Sequence, residues 1–332
     1  MIVTDMGMEA ELAEIFQGEL ISDEPSLDIY SHDASLFELR PKLIAIPRDV
    51  ADIKTLVSYV SANKSTQPDL SLTVRSAGTD MSGGAINDSI IVDIKRHFNT
   101  VHEISIDEAS LQPGVYFRDF DDKTKSLDVM LPSYPASRDL CTIGGMVANN
   151  SGGEKSLRYG KTANYVRELQ AVLADGNEYS LRPLQKPELI RKMAQEDYEG
   201  NLYKKLFKLL DDNYAVIQAA QTAVSKDSTA YYLREVWNRE TGIFDLTKLF
   251  VGAQGTLGII TDITVRLVSR PAHSGVLVCF MKDTSNLGEV INTVLGHNPA
   301  TFESFDDNTL WLSFRFFFSF INKLGLKLWL QT

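Results

Sequence analysis

The sequence is poor in cysteine and histidine. Its 332 residues include only two cysteines, Cys141 and Cys279, and five histidines. The cysteines lie far apart and outside any metal-type spacing, so neither a disulfide framework nor a metal site is expected. Acidic residues such as Asp5, Glu9 and Glu14 occupy the first twenty positions, unlike a secretion signal. We therefore expect a protein of the reducing cytoplasm.

Basic residues are also in the minority. Lysine and arginine number 33 against 44 aspartate and glutamate residues, the formal net charge is −11, and no cluster of basic residues occurs. Nucleic acids bind proteins through clustered positive charge, so no nucleic-acid partner is expected. The remaining composition, 44% hydrophobic and 23% charged, is typical of a globular chain with one large or two medium domains.

Long uncharged apolar runs are missing as well. The nearest approach is the aromatic-rich segment 310–330, which Arg315, Lys323 and Lys327 interrupt. A membrane-spanning helix needs about twenty largely uncharged residues. We predict an amphipathic helix buried in a further domain. The alternative is a surface helix that contacts a partner subunit or the inner face of the membrane.

Hydrophobic periodicity predicts a helix over residues 49–63, between β-rich runs at 43–46 and 70–74. Another β-rich run follows at 90–94, which gives a strand–helix–strand pattern. Beyond residue 101 the signals change. Short strands are predicted at 109–112, 166–173 and 259–268, a turn at 174–176, and helices over about 186–226. This pattern predicts an α+β chain with two subdomains joined near Asn99.

The first glycine-rich loop, residues 75–84, reads Arg-Ser-Ala-Gly-Thr-Asp-Met-Ser-Gly-Gly and follows a predicted strand. Small residues allow consecutive backbone N–H groups to surround an anion, and three hydroxyl groups add further donors. A diphosphate suits such a loop, although an isolated glycine cluster is more often a surface turn. Neither a P-loop lysine nor the dinucleotide fingerprint G-x-G-x-x-G is present.

The second loop, residues 142–153, reads Thr-Ile-Gly-Gly-Met-Val-Ala-Asn-Asn-Ser-Gly-Gly. Ordering so many glycine and polar residues requires partners for their backbone groups, which a polar ring-shaped ligand provides. The apolar Ile143, Met146 and Val147 are expected to anchor the loop to a core. A third glycine-rich segment, residues 252–261, leads directly into a predicted strand.

In order and spacing, these three loops resemble the FAD-binding domain shared by D-lactate dehydrogenase, the FAD subunit of glycolate oxidase and D-2-hydroxyglutarate dehydrogenase. This is the PCMH-type, or vanillyl-alcohol oxidase type, family. The resemblance runs from about residue 30 to 271 and includes Gln112-Pro113-Gly114 and Ala174-Asp175-Gly176. It implies a two-subdomain FAD-binding fold, with subdomains at 1–98 and 99–271, followed at 272–332 by the start of an α+β cap domain.

The resemblance implies FAD as the cofactor and assigns its binding residues. The first loop would hold the diphosphate, the second loop the flavin and ribityl region, and Ile260 the adenine end. The residues so implied are Arg75, Ser76, Ala77, Gly78, Thr79, Asp80, Ser82, Pro135, Ser137, Thr142, Gly144, Gly145, Asn149, Ser151, Gly152 and Ile260.

Some residues depart from the family pattern. Relatives often have glycine at the positions of Ser76 and Asp80, and glutamate at the position of Gln254. A carboxylate beside a diphosphate costs energy unless it points outward. Some members tether FAD through a histidine in the first loop, where this chain has Thr79 and Asp80. We therefore expect noncovalent FAD.

The resemblance implies oxidation of a D-2-hydroxy acid, such as D-lactate or glycolate, by hydride transfer to the flavin. The electron acceptor is expected to differ from NAD. In this branch a histidine-rich motif of the cap domain handles the hydroxyl proton, and none of the five histidines here lies in such a motif. No catalytic residue is predicted, and His32 is expected to be structural or near the cofactor.

Segment 272–332 resembles only the opening of that cap, with a strand predicted at 276–281 and a helix at 287–295. We therefore expect the sequence to be a fragment of a longer product. Two alternatives remain open. One is a flavin-binding subunit that needs a partner chain, and the other is a non-redox flavoenzyme of the alkylglycerone-phosphate synthase type.

Overall fold

A computed structural model describes residues 6–220 and 229–317. Its strands are β1 Glu19–Ile21, β2 Leu43–Ile46, β3 Leu72–Arg75, β4 Ile90–Asp93, β5 Val101–Ile104, β6 Glu108–Leu111, β7 Val129–Met130, β8 Val166–Val172, β9 Glu178–Leu181, β10 Pro183–Leu184, β11 Trp237–Asn238, β12 Ile243–Asp245, β13 Ile259–Arg266 and β14 Val268–Ser269. Its α-helices are α1 Met6–Ile15, α2 Glu24–Tyr30, α3 Val50–Asn63, α4 Phe117–Lys125, α5 Ile143–Ala148, α6 Ser156–Tyr159, α7 Lys186–Met193, α8 Tyr198–Asp212, α9 Tyr214–Ala219, α10 Leu233–Val236, α11 Thr247–Phe250, α12 Leu287–Leu295 and α13 Asp307–Arg315.

The first sheet has the strand order β1-β2-β4-β3. Its β2–β4 and β3–β4 pairs are parallel, and β1 joins β2 in antiparallel orientation. Parallel strands need a crossover connection, and α3 supplies it between β2 and β3, which lie on either side of β4. The Asp49 side chain accepts a hydrogen bond from the Asp52 backbone N–H at 3.1 Å and caps α3. The predicted strand–helix–strand unit is therefore confirmed.

The second sheet is antiparallel, with the order β5-β6-β13-β8-β9. Every strand of the first sheet precedes residue 98, and every strand of the second follows residue 99. A buried cluster joins the two sheets. It contains Ile53 of α3, Ile94 and Phe98 after β4, Val172 of β8 and Ile259 of β13. This packing fixes the first sheet against the second, and the α+β prediction is confirmed.

Helices α7, α8 and α9 occupy the region predicted to be helical, of which residues 221–226 lie outside the described part. A small sheet of order β10-β12-β11 packs beside them. Tyr203 of α8 and Phe244 of β12 lie in the main hydrophobic core, with ring centroids 5.8 Å apart. These helices therefore belong to the body of the second sheet.

Segment 272–317 differs from its prediction. Helix α12 forms where a helix was expected, but the strand predicted at 276–281 is absent. A strand is stabilised by a hydrogen-bonding neighbour, and no described residues pair with this segment. Its Leu277 and Phe280 side chains are 84% and 88% exposed.

The aromatic segment 310–330 is described only as far as residue 317. Helix α13 forms in this part, and its Trp311 and Phe314 are exposed rather than covered by other described residues. None of the described helices combines the length and the apolar content needed to cross a membrane.

Candidate functional site

A cavity that is partly open to solvent lies where the two sheets meet. Val74 of β3 and Ile94, directly after β4, form part of its wall, and Ile259 and Ile260 of β13 form another part. All three glycine-rich loops border it. The predicted binding residues that line it are Ser76, Ala77, Gly78, Thr79, Asp80, Pro135, Ser137, Thr142, Gly144, Gly145, Asn149, Ser151 and Ile260. The other three predicted residues, Arg75, Ser82 and Gly152, do not line it.

The first loop turns sharply after β3. Gly78 has a backbone φ of +67°, in the left-handed region that favours glycine. Its carbonyl accepts a hydrogen bond from the Ala34 N–H at 3.0 Å, which ties the loop to the segment after α2. The Asp80 carboxylate folds back into the loop, where Oδ2 accepts from Ser82 Oγ at 2.5 Å and from the Gly84 N–H at 2.9 Å. The Ser82 hydroxyl is therefore engaged within the loop.

Arg75 supports the first loop from behind. Its side chain is buried, and Nη1 donates to the carbonyl oxygens of Tyr30 and Ala85, each at 3.3 Å. A β-carbon on Gly78 would lie 2.6 Å from Arg75 Nη2, so the guanidinium is directly beneath the turn. Burial lowers the pKa of Arg75, while the hydroxyl of Tyr30 and two nearby carboxylates oppose that shift. This places a buried cation under the predicted diphosphate loop.

The second loop enters helix α5. Thr142 caps the helix by accepting from the Gly145 N–H at 3.3 Å. Ile143, Met146 and Val147 are fully buried, which confirms that apolar residues anchor this loop. A β-carbon on Gly145 would meet only Thr142 Oγ1 at 3.5 Å and Ser76 Cβ at 3.6 Å. The open side of Gly145 is thus a cradle that a larger side chain would fill.

Gly152 has a structural environment instead. A β-carbon there would lie 2.4 Å from Ser156 Oγ, the same hydroxyl that accepts a hydrogen bond from the Gly153 N–H at 2.8 Å. The absence of a side chain lets the loop pass close to α6, which follows it. Gly152 therefore shapes the second loop from outside the cavity.

The third loop closes the cavity over the second. Backbone N–H groups of Gly252 and Gln254 donate to the carbonyls of Val147 and Ala148, both at 2.9 Å. Gln254 Nε2 lies 3.5 Å from Ser82 Oγ of the first loop and 3.5 Å from Asn149 Oδ1 of the second. This side chain brings all three loops together.

Sequence reasoning missed part of the lining. The additional residues are Val74, Gly84, Ala85, Ile94, Pro113, Cys141, Met146, Ala148, Phe250, Ala253, Gln254, Gly255, Leu257, Gly258 and Ile259. Several of these residues belong to the third glycine-rich segment, which the sequence already singled out. The contacts that bring this segment to the cavity depend on strands that are far apart in the sequence. The apolar members give the cavity a wall that suits a ring system.

Few ionisable groups face the cavity. Among the described lining residues, only Asp80 and Cys141 carry an ionisable side chain. Burial raises the pKa of the Cys141 thiol to about 11. His102 lies elsewhere, with Nε2 2.6 Å from Asp262 Oδ2, and His32 lies 3.8 Å from Glu38. Within the described ranges, no three metal-ligating side chains form a group.

The arrangement fits FAD. Backbone N–H groups and the hydroxyls of Ser76 and Thr79 are grouped at one loop, as a diphosphate requires. The open face of Gly145 and the apolar walls offer space and contact for a ring.

Comparison with known proteins agrees with this fit. Residues 41–182 match the FAD binding domain family. The chain is 24% identical over 304 residues to the D-2-hydroxyglutarate dehydrogenase of Pseudomonas putida, covering 90% of this chain and 30% of that protein. It is 28% identical over 259 residues to the enzyme of the same name from Escherichia coli, covering 77% and 25%. It is 27% identical over 288 residues to glycolate oxidase subunit GlcD of Bacillus subtilis, covering 85% and 49%.

The chain thus spans between a quarter and a half of the length of these relatives. A solved alkyldihydroxyacetonephosphate synthase has a TM-score of 0.54 at 17% identity, over 81% of this chain and 42% of that one. This likeness concerns the fold. The resemblance recognised in the sequence is confirmed, and FAD is the cofactor that the domain at 41–182 takes.

Proposed function

We propose that this chain, whose residues 41–182 match an FAD-binding domain, carries the flavin of an oxidoreductase that oxidises a D-2-hydroxy acid. The observation that carries the proposal is the convergence of the three glycine-rich loops on one cavity within that fold. Relatives named D-2-hydroxyglutarate dehydrogenase and glycolate oxidase subunit support substrates of the 2-hydroxy-acid class. We propose a cytoplasmic location, including the inner face of the membrane.

The chain's own residues bind and orient the cofactor. The first loop binds the diphosphate through backbone N–H groups and the hydroxyls of Ser76 and Thr79, with the charge of Arg75 behind it. The second loop leaves space for the ring along Gly145, and Ile260, expected at the adenine end, contributes an apolar part of the wall. Bound FAD supplies the hydride acceptor. We propose an electron acceptor other than NAD, because the sequence has no dinucleotide fingerprint.

Proton removal from the substrate hydroxyl needs a base. Among the described residues lining the cavity, Cys141 stays protonated at neutral pH because burial raises its pKa to about 11, and Asp80 is hydrogen-bonded within its loop. The described residues therefore hold the cofactor and leave proton transfer to groups outside this cavity.

Anaerobic reduction tests this division of roles. The FAD-loaded chain should be bleached at once by dithionite, but not within minutes by D-lactate, glycolate or D-2-hydroxyglutarate, because positioning and proton transfer contribute several powers of ten in rate. Rapid bleaching by one of these acids would place a base within this chain, with His32 the first residue to test. In cells, deletion of the gene should raise the level of one D-2-hydroxy acid. Unchanged levels of all such acids would contradict the proposed substrate class.

A flavin-carrying subunit that needs a partner chain is the second candidate. The exposed apolar side chains of Val276, Leu277 and Phe280 favour it, since large exposed apolar patches mark contact surfaces. Copurification of a stoichiometric second protein with the tagged chain, and hydroxy-acid oxidation only in that complex, would support this candidate. Activity of the chain alone would exclude it.

A further inference from the structure

Asp80 is the only charged residue among the described residues that line the cavity. FAD brings a diphosphate with negative charge to this place. The nearby Arg75 side chain lies behind the loop and does not line the cavity. A diphosphate therefore meets an acid at the cavity wall, although the loop is otherwise suited to anions.

The Asp80 carboxylate already uses donors of this loop. Its Oδ2 atom accepts from the Ser82 N–H at 3.2 Å, from Ser82 Oγ at 2.5 Å and from the Gly84 N–H at 2.9 Å. Several backbone and hydroxyl donors around one oxygen are the arrangement by which glycine-rich loops bind phosphate. The carboxylate thus takes up donors of the loop predicted to hold the diphosphate, and of the two donor residues Gly84 lines the cavity.

We propose that Asp80 is an internal anion that occupies part of the diphosphate site, and that FAD binds by displacing it. Hydrogen bonds to an ionised acceptor are about twice as strong as neutral ones, so displacing the carboxylate lowers FAD affinity. Repulsion between the displaced carboxylate and the diphosphate lowers it further. Asp80 then sets the affinity for flavins that carry phosphate and leaves phosphate-free flavins unaffected. This inference rests on FAD as the ligand.

The position of Gln254 fits this exchange. A β-carbon on Gly84 would lie 2.9 Å from Asp80 Oδ2 and 3.0 Å from Gln254 Oε1, so both side chains reach the same point. Gln254 Nε2 also lies 3.5 Å from Ser82 Oγ. The neutral Gln254 side chain therefore lies near the carboxylate, and its amide nitrogen donates to Ser82 and Asn149.

The competing role for Asp80 is to shape the loop. Two variants separate the roles. Asp80→Asn keeps an oxygen that can accept from Ser82 and Gly84 but removes the charge, whereas Asp80→Gly removes the side chain. Asp88→Asn is the matched control, because Asp88 is exposed and does not line the cavity.

Flavin-free protein of each variant is titrated with FAD and with riboflavin, and binding is followed by the change in flavin fluorescence. Asp80→Asn and Asp80→Gly should each bind FAD about tenfold more tightly than the wild-type chain. Riboflavin, which has the ring but no phosphate, should bind all variants within about twofold of wild type. Asp88→Asn should match wild type for both ligands.

Unchanged or weakened FAD binding by Asp80→Asn would overturn the proposal, and weaker binding by Asp80→Gly would assign Asp80 to loop shaping. An equal gain for riboflavin would also overturn it, because the charge of the phosphates would not be the cause. Failure of wild type and all variants to bind FAD would overturn the proposed function together with this inference. Failure of the Asp80 inference and failure of the proposed function therefore give different results.

Discussion

A β-carbon placed on Gly145 would lie 3.6 Å from Cβ of Ser76, an ordinary van der Waals distance. The first and second glycine-rich loops thus approach each other at these two residues, with the cavity beside them. Gly144 differs, since a β-carbon there would lie 2.5 Å from Pro113 Cβ and 2.7 Å from the Pro113 carbonyl oxygen. Gly145 therefore leaves space in which a ligand can bind. Gly144 instead allows the second loop to pack closely against Pro113.

Gly145→Val should weaken FAD binding and leave the chain folded. The β-carbon fits, but the two methyl groups extend into the space where the second loop meets the ligand. We expect FAD affinity to fall by at least about tenfold, as is typical of overfilled sites. The flavin-to-protein absorbance ratio after purification measures the loss, and far-UV circular dichroism checks the fold.

Gly144→Ala is the matched control for this variant. Because its β-carbon would overlap Pro113, we expect a lower melting temperature even without flavin. Full FAD occupancy in Gly145→Val would show that the second loop does not border the cofactor.

FAD should be bound without a covalent link. No histidine occurs in the first loop or among the described lining residues, and the Cys141 thiol stays protonated at neutral pH. Acid or heat precipitation should therefore release all flavin into the supernatant, where its fluorescence is measured. Flavin that remains with the precipitated protein would contradict this prediction, and a Cys141→Ser variant would then show whether the thiol is the attachment point.

The two cysteines should differ in reactivity with alkylating reagents. Cys279 is exposed, whereas Cys141 is buried in the cavity wall, and burial raises its pKa to about 11. At pH 8 only about one Cys141 thiol in a thousand is ionised, so its alkylation should be slow and should accelerate as the pH rises toward 11.

Mass spectrometry of peptides after iodoacetamide treatment measures both sites in one sample. Bound FAD should slow modification of Cys141 further and leave Cys279 unaffected. Equal rates at the two sites would mean that Cys141 is accessible and that the cavity wall is open.

Arg75→Met should weaken both the fold and FAD binding. The variant loses hydrogen bonds to the carbonyls of Tyr30 and Ala85, and leaves Asp93 without a neighbouring guanidinium. The loss should reduce the free energy of unfolding by about 2–3 kcal/mol, as expected for hydrogen bonds that involve a charged group. Urea denaturation and FAD titration measure the two effects.

Arg75→Lys separates charge from geometry. Lysine keeps the positive charge but lacks the planar fork that reaches two carbonyls. We expect intermediate stability and an FAD affinity closer to that of wild type. Wild-type behaviour of Arg75→Met would exclude a supporting role for this side chain.

The exposed segment 276–281 should promote association of the chain. Val276, Leu277 and Phe280 are among its most exposed side chains, and apolar patches of this kind drive self-association. Replacing all three with serine should shift light-scattering profiles toward the monomer without changing FAD affinity. A wild-type chain that remains monomeric at high concentration would contradict this prediction.

The sequence alone determined the elements whose signals are local. The apolar repeat of 49–63 and its Asp49 cap predict α3, and the glycine-rich stretches predict loops that bind a ligand. Helix α3 forms as predicted, and the glycine-rich stretches form loops that border one cavity, because a helix face and a loop conformation depend on residues close together in the chain.

Tertiary structure decided which residues line the cavity. Arg75 lies behind the first loop because its partners, Tyr30 and Ala85, come from other segments. Gln254 joins the site through contacts with Ser82 and Asn149, more than a hundred positions away. The strand predicted at 276–281 does not form, because no described segment pairs with these side chains. Such outcomes depend on packing between distant segments, because a strand is stabilised by its neighbour and a side chain by what surrounds it.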